Sequence, residues 1–331
     1  MFKFPRNIAF IILALLFPLL VQSQTTRWKR MRYEFFGGIG ASGFLGDLGG
    51  ADQIGTHYIR DINFSMTRPA FTFGGRYFIL KRLAVQSALS YAWIRADDRL
   101  TTEPFRNNRN MQVLTPLAEW QCRIEYTVLT EKQGHRYNIK NVRGIIGNHV
   151  IVDIFGGGAL FFFYPMGRDS RPGGTGKYYG LHSVGTEGEN TTSLYPTKHP
   201  YSLFSFSIPI GIQLKWVINR KWSVSWELGM RQTFTDYIDD VSKAYVDPSL
   251  VAQYNKNKNV DAALASYFAD PSLGRANNID PNAPGHPVPN KNTTINGQQR
   301  GNNRNYDTYF LSFFTLNYKV RTGRNGLPIF R

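Results

Sequence analysis

From Trp222 to Thr235 the side chains divide by parity. Trp222, Val224, Trp226, Leu228, Met230 and Phe234 share one register, and Ser223, Ser225, Glu227, Gly229, Arg231, Thr233 and Thr235 share the other. A β-strand sends successive side chains to opposite faces, so the stretch predicts one apolar face and one polar face that carries both signs of charge. The alternation recurs. Leu83, Val85, Leu89, Tyr91 and Trp93 oppose Ala84, Gln86, Ala88, Ser90 and Ala92. Leu114, Ala118, Trp120, Cys122, Ile124, Tyr126 and Val128 oppose Thr115, Glu119, Gln121, Arg123, Glu125 and Thr127. Phe204, Phe206, Ile208, Ile210, Ile212, Leu214 and Trp216 oppose Ser205, Ser207, Gly211, Gln213 and Lys215. Eight strands are expected in all, near 33–42, 68–79, 82–96, 112–128, 149–163, 202–217, 222–236 and 307–320. The segments near 149–163 and 307–320 are apolar on both faces, which leaves their register open.

A soluble sandwich and a membrane barrel both accept such strands. The connections separate them. The first, third, fifth and seventh span about 25, 15, 38 and 70 residues, whereas 80–81 and 218–221 are tight and the fourth is intermediate at about 20. Long loops on one side and short turns on the other belong to an outer-membrane barrel. Most segments also exceed the roughly 9–11 residues that a tilted membrane strand needs. The fold class expected is therefore all-β: an eight-stranded antiparallel up-and-down transmembrane β-barrel. Its extracellular loops fall near 43–67, 97–111, 164–201 and 237–306, and its short turns are periplasmic. Residues 165–200 read as irregular, being rich in Gly, Ser, Thr and Pro. Within the last loop, Asp247 and Pro248 open a helix and Val260 to Ala269 reads as a second one. Residues 274–306, rich in Asn, Gly and Pro, read as mobile.

Composition adds a leader and a charge asymmetry. Lys3 and Arg6 precede an uncharged apolar run of 14 residues, Ile8 to Val21, too short to span a bilayer and suited to a cleaved signal peptide over 1–23. The barrel then occupies 24–320 and a basic tail 321–331. The single cysteine excludes an internal disulfide. Aromatic residues make up 15% of the chain, which suits girdles at two lipid–water interfaces. Of the net charge of +16, nearly all that remains after the leader falls on the turn side. Lys132, Arg136, Lys140 and Arg143 in the fourth connection and Arg321 and Arg324 in the tail belong to a set of 16 cations there, against Glu131 alone. They are the candidate partner-binding residues.

Chemistry is sparser. Glu34, Arg76, Glu119, Arg123, Glu125, Asp153, Lys215, Glu227 and Arg231 fall on lumen positions. They read either as an ion path or as a salt-bridged filling, and the narrow interior of an eight-stranded barrel favours the filling. Two polar motifs sit at the loop ends of strands: Phe44 to Gly50, with Gly46 and Asp47, and Thr235 to Asp240, with Asp236, Tyr237, Asp239 and Asp240. Converging aspartates would suit a hard cation, but turn and cap duty is the ordinary use of Asp and Gly. No metal, cofactor or catalytic residue is assigned, and no nucleic-acid module accompanies the basic rim.

The segments YEFFGGIGASGFLGDLGG (33–50), SALSYAWIRADDR (87–99) and WELGMRQTFTDYIDDVSKAYVDPSLVA (226–252) resemble the PorG-like outer-membrane barrels of Bacteroidota. That resemblance implies an integral outer-membrane, non-enzymatic accessory of type IX protein secretion, in contact with outer-membrane lipid and docked on a periplasmic ring assembly. The alternative is an adhesion or ligand-binding barrel acting through its outer loops; a lipid-modifying rim enzyme is the third reading.

Overall fold

The computed structural model describes residues 28–46, 48, 64–100, 104–131, 149–191, 198–273, 297–302, 306–323 and 327–329. The expected leader, and Asp47, Lys132, Arg136, Lys140, Arg143 and Arg324 among the candidate residues, lie outside them.

Eight long strands form at the expected places along the chain: β1 (Tyr33–Leu45), β2 (Arg68–Phe78), β3 (Leu83–Asp97), β4 (Gln112–Leu129), β5 (Val150–Phe163), β8 (Phe204–Val217), β9 (Trp222–Thr233) and β10 (Thr308–Thr322). Three short ones, β6 (Met166–Arg168), β7 (Tyr178–Gly180) and β11 (Pro328–Ile329), are additions to the frame. Each long strand pairs antiparallel with its neighbour in the order β1-β2-β3-β4-β5-β8-β9-β10, and β10 returns to β1 along 13 residue pairs, from Tyr33↔Val320 to Leu45↔Thr308. The sheet is thus a closed eight-stranded antiparallel barrel, which leaves the long strands no open edge.

The two faces separate as the parity pattern requires. Ile39, Phe73, Trp120, Ile124, Phe206, Ile210, Trp216 and Phe314 point outward and are exposed, while Gln86, Glu119, Arg123, Gln213, Lys215 and Glu227 are buried inside. A soluble monomer rarely exposes more than a few hundred Å² of contiguous apolar surface. Here it encircles the molecule, so lipid is the solvent of this belt. Aromatic pairs border it. Tyr33–Tyr77 (5.0 Å between centroids) and Trp222–Tyr318 (4.7 Å) lie toward the turn end. Tyr91–Trp93 (4.7 Å) and Phe162–Phe204 (5.1 Å) lie toward the loop end. Leu228 faces outward beside the buried Glu227. Leu228→Arg is therefore expected to weaken the barrel by up to about 2–4 kcal/mol if it sits near the midplane. Urea unfolding in detergent checks this; parent-like stability would mean that the faces are reversed.

The lumen is layered. Its turn-end half holds most of the charged residues; Glu119 and Arg231 lie higher, level with Phe161 and Tyr309. Its loop-end half holds Leu117, Phe161, Phe163, Tyr309, Leu311 and Phe313, all fully buried. This accounts for the two strands without alternation. β5 and β10 contribute Phe161, Phe163, Leu311 and Phe313 inward and Leu160, Phe162, Phe310 and Phe314 outward, so both faces are apolar for different reasons.

Above the membrane the loops pack into a head on the same core. The β6–β7 hairpin adds to the end of β4 through Val113↔Gly167 and Leu114↔Met166. Three short helices follow the chain: α1 (Pro104–Arg109), α2 (Pro248–Tyr254) and α3 (Ala262–Ala269). The expected cap of α2 is present, Asp247 accepting from the Ser249 amide at 2.9 Å with Pro248 in the first turn. Asp261 caps α3 by accepting from the Leu264 amide at 2.7 Å. Leu181, Val184, Ile238, Val241, Val251, Leu264 and Phe268 form one buried cluster with the apolar lumen. Two expectations are corrected here. Residues 165–200 do not form an irregular loop over their described part, because the β6–β7 hairpin and its following turns bury Leu181 and Val184. Residues 297–302, expected to be mobile, are tied down instead: Arg300 is buried and Gln299 bridges Ala244.

Candidate functional sites

The lumen network is built from parity. Residues of β1, β2, β4, β5, β8 and β9 that alternate inward bring five acids (Glu34, Glu119, Glu125, Asp153, Glu227) against four cations (Arg76, Arg123, Lys215, Arg231), and Lys319 of β10 supplies the fifth. Arg123 forks onto Glu227, Nη1 to Oε1 and Nη2 to Oε2 both at 2.6 Å, and its Nε and Nη2 reach Glu125 Oε1 at 3.0 and 2.8 Å. Arg76 pairs with Glu34 and Glu125 and donates to Gln213 Oε1 at 2.9 Å. Lys215 Nζ donates to Glu34 Oε1 at 2.9 Å, and Tyr309 OH to Glu119 Oε2 at 2.6 Å. Two positions owe this packing to glycine. A Cβ on Gly211 or Gly229 would run into the Phe155 ring, whose face lies 3.7 Å from the Arg123 guanidinium carbon. All nine predicted lumen residues are brought together, and they pair with one another as a filling.

The loop-end motif at 235–240 is a staple. Asp239 accepts from the Leu48 amide at 3.0 Å and the Val241 amide at 3.1 Å. Asp240, at φ +62°, accepts from the Thr186 and Tyr201 hydroxyls. Asp236 is buried in the same turn, and Tyr237 stacks on Tyr201 at 4.4 Å, which in turn stacks on Phe163 at the top of the lumen. Gly46 is close-packed, since a side chain there would strike the Phe44 ring and the Asp307 carboxylate. Asp239 thus serves a turn and a distant amide, and Asp240 ties two loops together; among the described residues no three His, Cys, Asp or Glu side chains converge to hold a metal.

Pattern reading missed the group that holds the head together. Arg300 Nη1 donates to the Asp240 carbonyl at 2.7 Å, Thr186 Oγ1 at 3.0 Å and Glu187 Oε1 at 3.3 Å. Glu187 also accepts from the Ser242 and Lys243 amides, and Glu189 from the Glu187 amide. Burial, then the charges of Asp240 and Glu187, pushes the Glu189 carboxyl up to about 8; burial pushes Asp240 up to about 6 against the pull of Arg300. These residues lie in glycine-rich loops without periodicity, so no sequence signal singled them out.

The turn end is a different surface. Of the candidate partner-binding residues, Arg321 is described, exposed at the end of β10, where β11 pairs back on it through Arg321↔Ile329. Lys29, Arg30, Lys81 and Arg220 are exposed around the same mouth.

A closed antiparallel barrel with an apolar belt, aromatic borders, a filled lumen and a folded loop head defines an outer-membrane β-barrel. Among solved structures the chain is similar to Ail, the attachment invasion locus protein of Yersinia pestis, at 6% identity and a TM-score of 0.33, over 88% of this chain and 99% of that one. It is likewise similar to Neisserial surface protein A at 7% identity and a TM-score of 0.30, over 87% and 96% of the two chains. At such scores the fold rests on the chain's own strand pairings. No protein-family model and no curated protein matches the sequence.

Proposed function

We propose that this barrel is a non-enzymatic docking component of the outer membrane, whose turn end holds a protein assembly on the periplasmic side. The charge of that end carries the reading. Lys29, Arg30, Lys81, Arg220 and Arg321 stand exposed there, and Glu131 is the one acid in the described turn-end segments. Lys132, Arg136, Lys140, Arg143 and Arg324 add to the same sign in sequence. Anionic headgroups attract each such residue by about 1 kcal/mol, but that needs only a ring at the membrane border. Cations spread through a whole connection and a tail suit an acidic protein surface, which they steer and orient. The PorG resemblance makes the type IX secretion ring the assembly proposed. Neutralising Lys132, Arg136, Lys140 and Arg143 together is expected to leave the barrel folded and to reduce co-purification of a periplasmic partner, most visibly at moderate salt.

One observation favours a second reading. The outer loops form a head with its own apolar core and a buried Arg300 network, which gives an adhesion or ligand surface a fixed shape. If the quadruple variant keeps every partner while removal of 274–296 strips them, the outer-ligand reading replaces the docking one.

A further inference from the structure

The turn-end mouth is a cavity as well as a charged rim. It encloses about 1180 Å³, larger than the roughly 300–1,000 Å³ of a small-molecule pocket. Lys29, Arg30, Lys81, Arg220 and Arg321 stand around it, and none makes an ion pair with another described residue. Lys215 and Lys319 lie deeper, both engaged with Glu34. Two acids share the lining. Asp153 at the floor already accepts from Thr127 Oγ1 at 2.6 Å and lies 4.0 Å from Lys215. Glu131 stands at the mouth. The walls between the charges are apolar: Met31, Phe78, Leu80, Ile151, Val217 and Ile218.

In sequence, 24–27, 132–148 and 324–331 contain cations and no acid. A bilayer lipid lies outside the strand cylinder, whereas the floor of this cavity is made of inward-facing residues of β5 and β8. A bare polyanion would leave the apolar walls without contacts.

We propose that this vestibule takes an extended peptide segment of a partner protein in which acidic and apolar residues are mixed, the carboxylates meeting Lys29, Arg30, Lys81, Arg220 and Arg321 and the apolar side chains meeting Phe78, Ile151 and Val217. This rests on the docking reading and names the feature of the partner that is held.

The test uses the full-length barrel in nanodiscs of neutral lipid and a fluorescent 12-residue peptide alternating Glu and Leu, followed by anisotropy. The Lys81→Ser/Arg220→Ser/Arg321→Ser variant is expected to bind it at least tenfold more weakly at moderate salt, and a peptide with Lys in place of Glu is expected not to bind the parent. A photo-crosslinking residue at Ile151 or Val217 is expected to capture the peptide, and one at Leu228, on the lipid face, is not. Parent-like affinity in the triple variant overturns the proposal. So does capture only by crosslinkers on the outer rim, or tighter binding of a single-stranded DNA of equal charge, or binding that appears only when anionic lipid is added. Co-purification of periplasmic proteins from cells, run in parallel, separates the two levels. If the peptide fails but a turn-end partner remains, the vestibule assignment falls and docking stands; if no periplasmic partner is recovered by the parent, docking itself falls.

Discussion

Arg123→Leu is expected to destabilise the barrel by about 3–5 kcal/mol, the usual cost of removing one partner from a buried ion pair. The guanidinium forks onto Glu227, reaches Glu125 and covers the Phe155 ring. Its loss leaves Glu227 with Arg231 at 3.8 Å as its nearest cation, in a lumen where acids and cations are otherwise balanced five to five. Adding Glu227→Leu is expected to recover part of the stability, because an apolar pair of similar volume avoids the uncompensated charge. Urea titration of the detergent-solubilised barrel, read by tryptophan fluorescence and by the gel mobility of the folded form, measures both. A single variant as stable as its parent would show that the fork does not hold the lumen together.

The second large effect is expected in the head and depends on pH. Glu189 faces Glu187, Asp240, Arg300 and the half-buried Lys198, with the Tyr201 and Tyr237 rings alongside. Its folded-state value of about 8 is raised above the ordinary 4.5, so between these two the folded head holds a proton that the unfolded loop has released. Stability from this group is therefore fullest below the unfolded value and is lost as pH rises through about 8. Asp240 adds a smaller loss in the same direction between 3.8 and about 6. Protease cutting of the outer loops is expected to accelerate from pH 5.5 to pH 8.5 while the barrel stays intact. Glu189→Gln, which copies the protonated form, should remove most of that dependence. Arg300→Met should open the head at every pH, by about 3–5 kcal/mol, since it strands Glu187 and Asp240 together. If Glu189→Gln followed the parent's pH curve, the buried carboxylate would not be the sensor.

The strands were legible because a barrel wall divides lipid from lumen at every residue, and a period of two survives in the sequence wherever the lumen is polar. Strand β9 shows this from Trp222 to Arg231. The same rule fails where the lumen turns apolar, which is why Phe161 and Phe163 in β5 and Leu311 and Phe313 in β10 gave no usable parity. The head was illegible for another reason. Glu187, Glu189 and Arg300 sit among Gly, Asn and Thr, the composition of a solvated loop, and only tertiary packing buries them. The staple at Asp239 and Asp240 was visible as a turn motif, but its partners, Leu48 and Thr186, lie far off in sequence and in other loops.

Cys122, the chain's one thiol, lies on the outward face of β4 between Trp120 and Ile124. In a membrane that face is bathed in acyl chains, where charged reagents do not dissolve. The unaltered protein thus comes with a reporter that answers to lipid-soluble maleimides and ignores water-soluble ones. Any cysteine introduced at the head or the vestibule can be labelled from water against a silent background, and the native site, carrying a spin label, gives the depth of the barrel in its bilayer.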